Sequence, residues 1–332
     1  MINISVIVPI YNGEGHIGKC LDSILNQTEK DIEIICINDG STDSSFDVLL
    51  EYQKKDSRIT VINQRNHGVS FSRNEGMRIS RGDYIAFVDC DDCLEKKMLE
   101  ILYRNIKDSG ADVAICSANV IGNKQTKEMD NIFRQLSVIS SHTCMIGDSY
   151  RLESENGMMP FVWNKLYRKQ FLIDNSILFP ENVSLGEDSV FLIQLYKCCP
   201  TVTFVSDRLY NYSYMTDNSA TDTMLKKAPG RLKEHLKTVM AAVEAYRERE
   251  YTFDVPLASW IREQLLYDYL LTDIKNEKKV LLSLLDYLSE EERETLFLDR
   301  WVSSFMLEYR NEFDRVLNLN CYRLKKHMLN WR

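Results

Sequence analysis

Within the first 116 residues, five short apolar runs recur at regular intervals, at residues 5–8, 32–37, 59–62, 84–88 and 113–116. The stretches between them, 17–26, 44–52, 70–79 and 98–106, carry apolar residues at helical spacing. Runs that are apolar throughout, rather than alternating, suit strands covered on both faces. Strand–helix–strand units of this length predict a parallel α/β sheet with right-handed crossovers. Ligands of such sheets bind beyond the carboxyl ends of the strands. Three polar segments fall at those ends: Tyr11-Asn12, the stretch from Asp39 to Asp43, and Asp89-Cys90-Asp91-Asp92.

The last of these segments carries the most chemistry. Carboxylates at the end of an apolar strand are costly unless a cation or a hydroxyl-bearing ligand meets them. Three of them within four residues repel one another at neutral pH. A divalent metal relieves that repulsion and can hold a diphosphate at the same place. The cluster therefore points to a metal-dependent site for a phosphorylated substrate, although short acidic triplets also occur in solvated loops.

The 332 residues suffice for one large domain with an appendage, or for two domains. Lys and Arg number 41 against 49 Asp and Glu, a formal charge of −8, which argues against a general nucleic-acid binder. The N-terminus opens into a strand-like run without a basic region followed by an apolar one, so no signal peptide is expected. No apolar run is long enough to span a bilayer. The nine cysteines are odd in number, and Cys36 and Cys116 lie inside apolar runs, as free thiols do in a reducing cytoplasm. Cys90 and Cys93 have redox spacing, but acidic neighbours raise a thiol pKa. A zinc site would need a second pair, and Cys198-Cys199 has the wrong spacing.

Residues 119–159 are irregular and rich in Ser, Asn and Lys, and read as loops. Leu185-Gly186-Glu187-Asp188 precedes a helical run at 189–196, and 201–214 is strand-like, with Tyr210, Tyr212 and Tyr214 on one side. Beyond about residue 222 the pattern turns helical, at 229–249, 256–273, 278–288 and 301–317, with Ser289 and Glu292 at capping-box spacing. His16, His67, His142, His235 and His327 lack metal-ligand spacing and read as surface or turn residues. The basic, amphipathic stretch 322–332 suits a solvated helix end or a peripheral contact with an anionic membrane.

Six segments in order resemble the family 2 glycosyltransferases of the GT-A fold. They are Val6-Ile7-Val8-Pro9-Ile10-Tyr11-Asn12, Asn38-Asp39-Gly40-Ser41-Thr42-Asp43, Gly68-Val69-Ser70 through Arg73-Asn74-Glu75-Gly76, Asp89-Cys90-Asp91-Asp92, Trp163-Asn164-Lys165-Leu166-Tyr167 and Gly186-Glu187-Asp188. The resemblance covers roughly the first two thirds of the chain, and six ordered segments say far more than one. It implies a Rossmann-like, mostly parallel central sheet flanked by helices. The expected domain spans 1–222, with a nucleotide-binding half at 1–118 and an acceptor-side half at 119–222; a helical region at 223–332 follows. It also implies transfer of a sugar, with inversion, from a nucleotide-sugar, most often a UDP-sugar, to a glycan or lipid-linked acceptor. The expected location is the cytoplasm, at most the inner face of the membrane.

The resemblance further implies roles for single residues. Pro9, Tyr11 and Asn12 would border the base. Asp39 would hydrogen-bond uracil, a carboxylate being able to accept from its N3–H; a bare turn cap is the alternative. Arg73 and Asn74 would lie near ribose and diphosphate, although Arg73 also suits a solvated helix face. Asp91 would ligate Mn²⁺ or Mg²⁺, Asp89 would touch the donor's ribose hydroxyls or the metal and its water shell, and Asp92 would support them or be structural. Cys90 stands where Ser or Ala is common. Asp188 would be the general base, with Glu187 as fallback, and helix capping as the structural alternative. Lys165 would neutralise diphosphate charge or lie on the surface. Trp163 would stack on the acceptor sugar or pack in the core.

Two further enzyme classes fit less well. A nucleotidyltransferase would want a basic, Gly-rich loop after the first strand, and Tyr11-Asn12-Gly13-Glu14-Gly15 has neither Lys nor Arg. An aspartyl-nucleophile phosphatase carries its paired aspartates on the first strand. A binding or scaffold protein without turnover is the non-enzymatic alternative, and it gives no reason for both Asp91 and Asp188 to be present.

Overall fold

The computed structural model describes residues 2–122, 137–138, 140–146, 161–214, 231–254, 257–258, 260–261 and 278–296. The chain divides into two compact units, Met1–Asp222 and Thr223–Arg332.

In the first unit, β1 (Ile4–Ile10), β2 (Ile32–Asp39), β3 (Ile59–Gln64) and β4 (Tyr84–Phe87) form a parallel sheet in the order β3-β2-β1-β4. Every residue of β1, β2 and β4 is buried, as strands covered on both faces require, and buried Glu33 in β2 is met by Ser5 Oγ and Arg81. The helices α1 (Ile17–Leu25), α2 (Ser45–Lys55) and α3 (Val69–Ile79) connect these strands. The chain builds outward from β1 through β2 to β3, then crosses back to β4 on the other side of β1. The direction of winding therefore reverses between β1 and β4, which opens a crevice at their carboxyl ends. Pro9 sits in β1 beyond the last pair with β4, Ile7 with Phe87, and pairs only with Ile37 of β2. A residue without an N–H is tolerated where one neighbour has ended. Gly76 lets α3 lie close on β1, since a Cβ there would come within 2.4 Å of Ile7 Cγ2.

The remaining elements of this unit are β5 (Cys93–Leu94), α4 (Met98–Ser109), β6 (Val113–Ile121), β7 (His142–Met145), β8 (Lys165–Arg168), α5 (Lys169–Asp174), α6 (Glu187–Lys197) and β9 (Thr201–Ser213). They extend the sheet as β4-β8-β6-β9-β5, with β7 pairing β9. The fifth apolar run, β6, does not lie beside β4: β8 stands between them, antiparallel to both. Parallel pairing thus holds through the first four strands and becomes mixed beyond. β7 falls inside a stretch read as loops. Its residues are mostly exposed and its pairing with β9 is through the backbone, so no apolar pattern marks it. Helix α6 begins at Glu187, two residues ahead of the predicted start, behind Gly186 at a positive φ of 79°.

The second unit contains α7 (Arg231–Glu248), α8 (Lys278–Tyr287) and α9 (Glu290–Leu296). Ser289 N donates to Glu292 Oε2 at 2.7 Å and Glu292 N donates to Ser289 Oγ at 3.2 Å, a reciprocal cap for α9. Arg247 of α7 donates to Glu292 Oε2 at 2.6 Å and to the Tyr287 carbonyl at 3.0 Å, which ties the three helices together. His235 is buried, not on the surface as predicted. Most of the predicted helix at 256–273, all of that at 301–317 and the basic stretch 322–332 lie outside the described residues. Among the described residues, no helix is long and apolar enough to cross a membrane.

Candidate active site

Side-chain-to-backbone hydrogen bonds join the loops that follow β1 and β2. Asn12 takes the left-handed conformation, φ 53°, which asparagine tolerates. Its Oδ1 accepts from Thr42 N at 2.8 Å, and its N–H donates to Ser41 Oγ at 3.0 Å. Gly13 N donates to Ser45 Oγ at 2.8 Å, and Glu14 N to Asp43 Oδ2 at 3.1 Å. Asp43 Oδ1 also accepts from Ser45 N in the first turn of α2. A Cβ on Gly13 would come within 3.0 Å of Cys90 Sγ, so the loop after β4 touches the same corner. The three polar segments therefore meet, with Tyr11 53% exposed at the rim and Pro9 buried beneath.

Asp39, buried at the end of β2, organises the next crossover. Its Oδ1 accepts from Gln64 Nε2 at 2.7 Å and His67 N at 2.8 Å, and its Oδ2 from Gly68 N at 2.8 Å. It therefore braces the entry to α3, not the turn ahead of α2. Within the aspartate cluster, Asp92 is the buried anchor: Oδ1 accepts from Ser213 N and Oδ2 from Tyr210 Oη, both at 2.7 Å. Burial, then the charges of Asp91 and Asp89, raise its carboxyl well above the usual range. Asp91 is half-buried, and Asp89 keeps 29% of its side chain exposed. Burial and these carboxylates also push the Cys90 thiol up, which makes it an inert packing group.

Arg73 joins this cluster to the start of α6. Nη2 donates to Asp89 Oδ1 at 2.9 Å; Nη1 donates to Asp188 Oδ1 at 2.6 Å and to Glu187 Oε1 at 3.1 Å. The guanidinium is 3% exposed and lies 5.1 Å from the centre of the Phe179 ring, so it is no solvated helix face. The second oxygen of Asp188, Oδ2, accepts from Val162 N at 3.3 Å. Both oxygens thus point into the site and none caps α6, in whose first turn the residue lies. Burial pushes the Asp188 carboxyl up to about 7 against the opposing pull of Arg73, with Glu187 and Asp89 adding to the rise.

Three predicted contacts have different surroundings. Asn74 binds both main-chain groups of Phe179: Nδ2 to the carbonyl and Oδ1 from the N–H, each at 2.9 Å. It pins the segment ahead of α6. Lys165 is fully buried, not on the surface; Nζ donates to the Phe161 carbonyl at 2.6 Å and Asn164 Oδ1 at 2.7 Å. Burial lowers its ammonium to about 7, with Asp188 opposing. Trp163 is 1% exposed and packs near-parallel to Phe161, Tyr210 and Tyr212, at centroid distances of 4.9, 4.2 and 5.0 Å. It belongs to the core and has no face for a sugar, whereas Phe161 and Tyr212 are half-buried. The turn at 161–164 was missed, because main-chain donors such as Val162 N leave no mark on composition. The Tyr210–Asp92 bond joins residues 118 positions apart, and the tyrosine alternation of β9 reads only as sheet packing.

A sheet that switches direction over an acidic crevice, with a second carboxylate group brought in from across the molecule, is the GT-A glycosyltransferase fold. Residues 5–174 match the family described as Glycosyl transferase family 2, and the chain belongs to that family. EpsJ of Bacillus subtilis (strain 168), an uncharacterized glycosyltransferase, is 32% identical over 243 residues, 73% of this chain and 69% of EpsJ. The poly(ribitol-phosphate) beta-glucosyltransferase of Bacillus spizizenii is 27% identical over 321 residues, 95% of this chain but 46% of that enzyme, so the chain spans about half its length. The crystal structure of S. aureus TarS 1-349 in complex with UDP-GlcNAc superposes with a TM-score of 0.65 at 20% identity, covering 97% of this chain and 92% of that one.

Proposed function

We propose that the chain transfers a sugar, with inversion, from a UDP-sugar to a hydroxyl of a cell-surface glycan or lipid-linked acceptor. The observation that carries this reading is the single guanidinium of Arg73, which holds the donor-side Asp89 and the acceptor-side Asp188 together. A reaction that breaks a bond to a diphosphate while deprotonating an incoming hydroxyl needs those two charges side by side. The TarS complex with UDP-GlcNAc and the ribitol-phosphate glucosyltransferase support the donor and acceptor classes.

In this reading Tyr11 covers the nucleobase, and Asp39 accepts from it through lone pairs left beside its three protein bonds. Asp89 and Asp91 would hold Mn²⁺ or Mg²⁺. The donor set fits such an ion: hard carboxylate oxygens two residues apart, Asp91 half-buried and Asp89 keeping 29% of its side chain exposed. Among the described residues no three His, Cys, Asp or Glu side chains form a metal group, so diphosphate and water would complete the shell. When bound, the ion supplies charge stabilisation at the departing diphosphate. Asp188 accepts the proton of the acceptor hydroxyl as that oxygen attacks the anomeric carbon. A value near 7 suits a base that takes a proton and releases it again at neutral pH.

Calorimetric titration of UDP and GDP, with Mn²⁺ and with EDTA, tests the donor site. UDP binding that requires the metal is the expected result. Preference for GDP would overturn the nucleobase assignment, and no binding of either nucleotide would overturn the enzyme reading.

A further inference from the structure

Sequence resemblance places Arg73 at the donor, but its contacts lie mainly elsewhere. Of its three charged partners, one follows β4 and two open α6, which are 16, 114 and 115 positions away in the chain. Such a contact is fixed by tertiary folding alone. Arg73 is 3% exposed and its Glu187 and Asp188 partners 15%, so removing the guanidinium would leave buried carboxylates without their counter-charge.

We infer that Arg73 is a positioning residue for the transfer reaction: it orients the Asp188 carboxylate and holds it charged, while fixing Asp89 with its other arm. The inference rests on the reading of Asp188 as the base. Asp188 Oδ1 is held by Arg73 and Oδ2 by Val162 N, so the plane of the carboxylate is set from two sides. The groups that act on its charge are Arg73 from α3, Glu187 beside it, Asp89 from the end of β4, and Lys165 and Tyr167 from β8. Arg73 donates directly to Asp188 at 2.6 Å and is the leading counterweight to burial. Without it, two more carboxylates would face Asp188 with the Val162 N–H and Lys165 against them. An acidic base would then stay protonated at neutral pH and could not accept from the acceptor.

The test follows the Asp188 carboxyl directly, by ¹³C NMR of the aspartate-labelled, unliganded full chain, with the signal assigned by its loss in Asp188→Asn. In Arg73→Gln the titration midpoint is expected to rise by about one to three pH units, the usual influence of an adjacent opposite charge. Arg73→Lys keeps the charge and should recover part of that rise. If Arg73→Gln does not fold, the unmodified protein still decides: the Arg73 side-chain ¹⁵N signals should move with the Asp188 midpoint. An Asp188 midpoint unchanged in both variants, or Arg73 signals blind to it, would overturn the inference. Weakened UDP binding with an unmoved Asp188 midpoint would return Arg73 to the donor alone. Failure of the wild type to bind UDP would sink the donor assignment and leave this measurement standing.

Discussion

Asp188 combines two demands that pull against each other. Its proposed role as a base needs a charged carboxylate, and its burial opposes that charge. Asp188→Asn is expected to bind UDP as the wild type does and to lose transfer by about 10²-fold or more, the usual contribution of a general base. Normal turnover in that variant would move the base to Glu187. The same conflict has a thermodynamic signature. The folded value of about 7 lies above the ordinary aspartate value of about 3.9. Between the two, the folded chain keeps a proton that the unfolded chain has lost. This contribution to stability is present below about pH 4 and disappears as the pH rises through about 7. Asparagine has no charge to bury, so Asp188→Asn should gain stability relative to wild type across that window; urea midpoints at about pH 5 and about pH 8 measure it. A constant difference between the two would contradict the raised value. At this scale the sequence revealed residue types better than partners. The aspartate cluster stood out because carboxylates at the end of an apolar strand are costly, whereas Asp188 stood out only through the family resemblance, since a carboxylate at a helix N-terminus is ordinary. Asn74 is held by the main chain of Phe179, 105 positions away, which no local pattern announces; Lys165 is buried against the nearby Phe161 carbonyl and Asn164, where a surface position was the alternative, and Trp163 takes the core packing that was its alternative.

Among the elements, the contact of α3 with β1 sets the angle at which Arg73 enters the crevice. Gly76 permits the close approach, and a methyl group there would lie 2.4 Å from Ile7 Cγ2 in a strand that is buried throughout. Gly76→Ala should therefore destabilise the fold by about 1–3 kcal/mol, the cost of overpacking a filled core, and weaken UDP binding because α3 carries Arg73. Thermal denaturation and calorimetry check the two effects, and an unchanged unfolding temperature would show that Ile7 can give way. The first four strands and their helices were legible because each strand is rich in Ile and Val or aromatic residues and the helices between them carry apolar residues at helical spacing. β8 was not. It is four residues long and carries Lys165 and Arg168, and its antiparallel insertion between β4 and β6 is a property of the sheet, not of the segment. β5, with two residues, is too short to have a pattern.

At the scale of the molecule, all the residues assigned to donor, metal and base fall in the unit Met1–Asp222. A ligand that binds only the folded form stabilises it by RT ln(1 + [L]/Kd), about 2.7 kcal/mol at a hundredfold excess over Kd. For a unit of this size that corresponds to a rise in unfolding temperature of roughly 5–10 °C. UDP with Mn²⁺ should produce this rise in the full chain, growing with the logarithm of UDP concentration, and EDTA should abolish it. Asp91→Asn should abolish it too. Asp92→Asn acts otherwise, since Asp92 is bonded to Tyr210 and Ser213: it should lower the unfolding temperature even without ligand. A rise that survives in Asp91→Asn at saturating Mn²⁺ would remove Asp91 from the ligand set. Equal rises with UDP and GDP would show that Asp39 does not select the base. On the proposed reading, a chain of net charge −8 concentrates positive charge locally to bind an anionic diphosphate. Arg73 and Lys165 are both buried and committed to protein partners. A divalent ion held by Asp89 and Asp91 would supply that charge, and on this proposal chelation is expected to cost the chain its nucleotide.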